Sequence, residues 1–239
     1  MLYAGSHDAS GKEIFPGYLP GSEDGPGGWS LWITGPAPLE SAISGLAKGY
    51  FADMVYERAD WDLKTASIED ALRAAVAKTS HALDATDENL KPFVSRGGKL
   101  IVYHGWNDPA ISALNTIEYY EAMRAATGAT LADSSVRLFM IPGMQHCTGG
   151  PGATNFGQFW LPPGSSPDDT EHDVNLAIEA WVEKGAAPQQ LIAGEYAEQA
   201  NHWQLMMTRP LCAYPKVARY KGQGDTNDAA NFACMGPAK

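Results

Sequence analysis

No apolar stretch in the chain approaches the roughly 20 residues that a helix needs to span a bilayer, so no membrane span is expected. Basic clusters are equally scarce. The chain carries 17 Lys and Arg against 28 Asp and Glu, a formal net charge of −11. Phosphate backbones are held by grouped Lys and Arg, and with no such run nucleic acid is excluded as a partner; the acidity otherwise signals solubility. The N-terminus, Met1-Leu2-Tyr3-Ala4-Gly5-Ser6-His7, has neither the basic start nor the apolar core of an export signal, and none is expected here. His7, His81, His172 and His202 show no metal-ligand spacing among themselves or with the cysteines, so no zinc is expected and no cofactor is called for. The Gly-rich run Gly149–Gly152 lacks the Lys-Ser/Thr of a phosphate loop and reads as a turn. Cysteine is rare, with three in 239 residues. In a reducing compartment all three are plain thiols; in an oxidising one, two pair and the third is left over.

What is present belongs to a folded protein, with 44% hydrophobic and 19% charged residues. Gly and Pro are dense from Pro16 to Pro38, so the first sixty residues read as loops and short helices carrying Trp29, Trp32, Tyr50, Phe51 and Trp61. Order improves from Ser67, a helix cap, behind which Ile68, Ala71, Leu72, Ala75 and Val76 fall on one helix face. Lys99-Leu100-Ile101-Val102-Tyr103 reads as a strand, followed by a helix from about Leu114 to Ala126. Val136 to Ile141 reads as a second strand, stopped by Pro142-Gly143. A further helix spans Asp173 to Lys184, with Val174, Ala177, Ile178, Trp181 and Val182 on one face and Gly185 as its stop. Strand, helix, strand, helix marks an α/β fold with parallel strands. From Leu191 on, only Gln204 to Thr208 reads as a strand before a Pro- and Gly-containing tail. Two strong strands are too few for a complete doubly wound sheet, which points to part of something larger.

In open α/β sheets, functional groups sit on loops beyond the carboxyl ends of strands. The first strand leads into His104-Gly105-Trp106-Asn107-Asp108-Pro109, the second into Pro142-Gly143-Met144-Gln145-His146-Cys147. Neighbouring parallel strands bring these loops together. An acid and then a histidine, each after a strand, form the closing part of the order Ser, Asp, His used by α/β-hydrolases. In that chemistry the histidine takes the serine proton during attack on an ester carbonyl, and the carboxylate fixes the imidazole tautomer. By residue type alone, an ordinary turn Asp and an unrelated loop His fit as well. His104, four residues before Asp108, reads as a strand-end residue supporting the loop.

Longer motifs carry a resemblance. Ala85-Thr86-Asp87-Glu88-Asn89-Leu90 and Arg96 through Pro109 look like the acid-bearing segment of the tannase and feruloyl esterase family. Pro142 through Gly152 matches its histidine segment, Arg209 through Pro215 and Asp228 through Cys234 its C-terminus, and Tyr18 to Glu23 a stretch of its lid. The resemblance implies Asp108 as the acid and His146 as the base of a serine esterase acting on aromatic-acid esters. It implies a partial α/β-hydrolase: residues 1–66 as the end of the lid, residues 67–239 as the C-terminal strands and helices of a mostly parallel sheet. It also implies a Cys212–Cys234 disulfide, with Cys147 left as an orphan whose family partner lies beside the nucleophilic serine. Trp29, Trp32 and Phe51 are the candidate lining of an aromatic pocket, with lid packing as their other role. Relatives being exported, the resemblance implies a secreted or periplasmic origin.

The family's Cys-x-Ser-x-Gly elbow and acidic calcium loop have no counterpart here. An elbow needs small residues two positions either side of its serine; Ser44 has Ala42 and Leu46, Ser112 has Ala110 and Leu114, Ser6 has Ala4 and Asp8. None qualifies. Three readings follow: an esterase that uses an unrecognised serine or one supplied by a second polypeptide, a complementing N-terminal half; a non-catalytic half-domain that folds as a homo-oligomer and binds aromatic ligands without turnover; or a different hydrolysis using His146 or Cys147. The last is weakest, since neighbouring side chains on an extended loop diverge.

Overall fold

A computed structural model of the chain describes residues 2–159, 167–199 and 202–237. Glycine and proline divide the first sixty residues into short pieces. A small antiparallel pair, β1 (Ser6–His7) and β2 (Glu13–Phe15), is followed by a π-helical turn at Ser30–Thr34, helix α1 (Ala42–Gly49) and a second π-helical turn at Tyr50–Val55. Helix α2 (Ile68–Leu83) starts where expected, the Ser67 hydroxyl accepting from the Asp70 amide. Its buried side is narrower than its apolar stripe. Ala71 and Ala75 are buried, whereas Ile68, Leu72 and Val76 are exposed, because the helix rests against the Tyr50–Val55 turn on its alanine side.

After the single turn α3 (Lys91–Val94) come β3 (Leu100–Gly105), α4 (Ala113–Thr127), α5 (Ala129–Asp133) and β4 (Val136–Ile141). β3 and β4 pair in parallel, Leu100 opposite Val136 through Gly105 opposite Ile141. Side chains alternate along a strand, and here both faces are covered, as parallel strands require. Leu100 and Val102 with Val136, Leu138 and Met140 pack against Ala113, Tyr120 and Met123 of α4. Ile101 and Tyr103 with Phe139 and Ile141 face the other layer.

That second layer begins with α6 (Val174–Lys184), capped by Asp173 accepting from the Asn175 and Leu176 amides and ended by left-handed Gly185. Trp181 is buried, but Val182, placed on the same face by periodicity, is exposed. The C-terminal part holds more strand than its sequence suggests. β5 (Gln190–Gln199) and β6 (His202–Cys212) form a long antiparallel ribbon, and β7 (Val217–Tyr220) pairs with β8 (Phe232–Met235). Leu191, Ala193 and Leu211 of the ribbon complete the core around Phe139 and Ile141. Beyond β6 the chain docks on β4, Ala213 bridging Phe139 antiparallel and the Tyr214 amide donating to Leu138 O at 2.8 Å. Among the described residues no strand pairs with the other side of β3. No described helix is long and apolar enough to cross a membrane.

Candidate active site

The equal register of β3 and β4 puts their ends side by side, and the loops that follow are fastened to each other. Trp106 N donates to Ile141 O at 3.0 Å, Asn107 N to Met144 O at 3.0 Å, and Gly143 N to Asn107 Oδ1 at 3.0 Å. This contact needs glycine at 105, since a Cβ there would lie 2.2 Å from Met144 O. Gly149–Gly152 turns as expected, folding back so that Gln145 N donates to Gly149 O at 3.2 Å.

The result joins the two expected residues. His146 Nδ1 lies 2.9 Å from Asp108 Oδ2. The carboxylate is buried and accepts on Oδ1 from the amides of Ala110 (2.8 Å) and Ile111 (3.0 Å). Burial alone would push the Asp108 carboxyl up; hydrogen bonds from His104, Ile111, His146 and Ala110 outweigh it and hold the acid below its usual range. It is therefore an anion near neutral pH, and a carboxylate at Nδ1 keeps the proton there, leaving Nε2 free to act as a base. His146 is about one-third exposed, and the Trp32 ring meets it edge-on at 4.7 Å.

Of the three aromatic candidates, only Trp32 is brought to the histidine. Trp29 packs on Tyr3 with centroids 5.6 Å apart. Phe51 belongs to a separate stack with Tyr50, Tyr56 and Trp61. The N-terminal segment is nonetheless tied to the acid loop: Tyr18 Oη donates to Ala110 O at 3.0 Å and Ser112 Oγ to Gly17 O at 2.6 Å.

The serines serve other roles. Ser112 caps α4, Ser44 bonds the α1 cap Ser41, and Ser6 is an exposed residue of β1. Among the described residues no serine hydroxyl hydrogen-bonds to His146. Cys212 and Cys234 are disulfide-bonded, linking β6 to β8 with Cα atoms 5.5 Å apart. Cys147 is free and exposed, in a left-handed conformation at φ 63°. Desolvation and then the Asp108 charge push its thiol up, the reverse of what a cysteine nucleophile needs. Among the described residues no three His, Cys, Asp or Glu side chains gather to hold a metal; the side chain of His202 lies outside the described residues. Residue types alone did not reveal the role of Asn107, whose side chain staples the two loops, or the contact of His104 with the acid. The His-x-x-x-Asp spacing was the only signal of the latter.

The sequence and the fold are both similar to those of known esterases. The chain is 37% identical to an uncharacterized esterase of Xanthomonas campestris over 95% of its own length and 43% of the relative's. It is 44% identical to mono(2-hydroxyethyl) terephthalate hydrolase of Piscinibacter sakaiensis over 64% of its length and 22% of that protein's. The crystal structure of feruloyl esterase B from Aspergillus oryzae superposes with a TM-score of 0.81 at 27% identity, covering 98% of this chain and 44% of that one. The chain thus spans less than half the length of these relatives. The tannase and feruloyl esterase family model matches residues 1–235, and the chain belongs to that family.

Proposed function

We propose that this chain supplies the acid and base of a serine carboxylic ester hydrolase acting on esters of aromatic acids. The observation that carries the reading is the 2.9 Å contact between Asp108 Oδ2 and His146 Nδ1, made at the ends of adjacent parallel strands. In this reading Nε2 of His146 takes the proton of a serine as its oxygen attacks the ester carbonyl. The imidazolium then protonates the departing alcohol, and a water molecule, activated the same way, releases the acid. Asp108 stays ionised throughout. The aromatic acyl preference rests on Trp32 beside His146 and on the feruloyl and terephthalate groups in the relatives' names.

The nucleophile comes from an N-terminal half that docks along the open side of β3, making the whole a single α/β-hydrolase with residues 1–66 as lid. The β3 edge, unpaired among the described residues, and the 43% share of a relative's length support this division. Cys147, exposed beside His146, is the thiol available to bridge to that half. The Cys212–Cys234 bridge fits an oxidising compartment, secreted or periplasmic. A second reading, a half-domain binding aromatic ligands without turnover, or closing its open edge in a homo-oligomer, draws on the lack of any described serine at His146.

Hydrolysis of methyl ferulate or a p-nitrophenyl ester, measured beside His146→Ala and Asp108→Ala, separates the two. A rate abolished by both substitutions supports the esterase, and a rate indifferent to them removes it. Fluorophosphonate labelling with peptide mapping identifies the serine or shows that this chain supplies none.

A further inference from the structure

His104 is a second imidazole at the carboxylate oxygen that His146 meets. Its side chain is 11% exposed, and Nε2 lies 3.2 Å from Asp108 Oδ2 and 3.1 Å from Ile111 O. Both neighbours of Nε2 are acceptors: a carbonyl oxygen has no proton, and the acid is held ionised. Nε2 must therefore carry hydrogen, which settles the tautomer of the neutral ring. Nδ1 lies 2.6 Å from Thr116 Oγ1, so in that ring the threonine hydroxyl donates to it. Thr116 is on α4 and His104 on β3. The imidazole is thus clamped between two elements and aims its one N–H at the acid turn.

The two carboxylate oxygens are held differently. Oδ1 is pinned by two backbone amides, whereas Oδ2 meets only side chains, those of His146 and His104. Rotation about Cβ–Cγ, compensated at Cα–Cβ so that the carboxylate pivots on the pinned oxygen, moves Oδ2 away from His146. That torsion has a broad, soft minimum.

We propose that His104 is a positioning residue for the acid, its Nε2–H holding Asp108 Oδ2 in line with His146 Nδ1 while Thr116 keeps the His104 ring in place. This rests on Asp108 and His146 working as an acid–base pair. It assigns a part to His104 and Thr116 in which neither touches substrate. A ring that only filled space would have no need of a donor at Nε2 or a partner at Nδ1.

The test reads the His146 Nδ1–H proton by nuclear magnetic resonance in the folded full chain, so no turnover is required. The wild type is expected to show a low-field, exchange-protected proton that is absent in Asp108→Asn. In His104→Ala it should broaden or exchange about tenfold faster, the factor one hydrogen bond carries. His104→Gln, whose amide N–H can replace Nε2–H, should restore it. Thr116→Val, which removes the Nδ1 partner without emptying the site, should lie between. A signal lost in Asp108→Asn but unchanged in His104→Ala and Thr116→Val overturns the role of His104 and leaves the acid–base pair standing. Loss in both His104→Ala and His104→Gln assigns the ring to packing and likewise overturns the proposal. A signal indifferent to Asp108→Asn removes the pair, and the proposal with it.

Discussion

Replacing Asp108 with Asn tests the electrostatics of the site without changing its shape. The amide oxygen can keep the Ala110 and Ile111 amides, since these meet only Oδ1. The amide nitrogen then stands where Oδ2 accepts from His146 and lies beside His104. One charge-assisted hydrogen bond contributes roughly 1.5–3 kcal/mol, and losing a buried charge returns part of that as relieved desolvation. The net expectation is about 2 kcal/mol at pH 7. With a urea slope of about 2 kcal/mol per molar, the unfolding midpoint falls by about 1 M. The pH dependence supplies the sharper check. Hydrogen bonds outweigh burial and lower the folded-state pKa of Asp108, so its contribution is complete above the unfolded value of about 3.9 and fades as pH falls through the folded value. Urea titrations of both proteins between pH 7 and pH 2.5 should show curves that converge on the acid side. A constant gap over that range, or no gap at pH 7, would show that the carboxylate is not held as an anion by these donors.

Other expectations are independent of that one. The disulfide closes a 22-residue separation, so Cys212→Ala with Cys234→Ala should cost about 3 kcal/mol in the chain-entropy model, read by denaturation. Thiol titration of the unreduced, denatured chain should find a single reactive cysteine, Cys147; three would refute the bridge. Gly105→Ala drives a methyl into the Met144 carbonyl and should destabilise by about 2 kcal/mol or more, the usual range for overpacking; a melting temperature equal to wild type would contradict that approach. Trp32→Ala uncovers one side of His146. Modification of His146 by diethylpyrocarbonate, followed by peptide mass spectrometry, should speed up roughly threefold to tenfold, in keeping with an aromatic contact of about 1 kcal/mol.

The sequence by itself determined the parallel unit and its site. β3 and β4 are short, almost wholly apolar runs between glycines or turns, because a strand buried on both faces has no room for alternation. Asp108 and His146 stood out on the loops after such strands, and the longer motifs around them carried their assignment. α6 was readable from its cap, its period and Gly185. Period shows which side chains share a helix face but not which part of that face a neighbour covers. That is why Ile68, Leu72, Val76 and Val182 lie exposed beside buried Ala71, Ala75 and Trp181. Apart from Gln204–Thr208, which reads as a strand, the β5–β6 ribbon was hidden for another reason. Gly194 and Pro210 interrupt its strands, residues that weaken a strand reading, and a register shift at Glu195/Tyr196 breaks the alternation. Only long-range pairing, anchored by Leu191, Ala193 and Leu211 in the core, overrides those local preferences. Tertiary structure alone decided that Trp32, rather than Trp29 or Phe51, meets the histidine. It alone set His104 against the acid, because the contact depends on how β3, α4 and the turn between them fold together, which the His-x-x-x-Asp spacing signals without fixing.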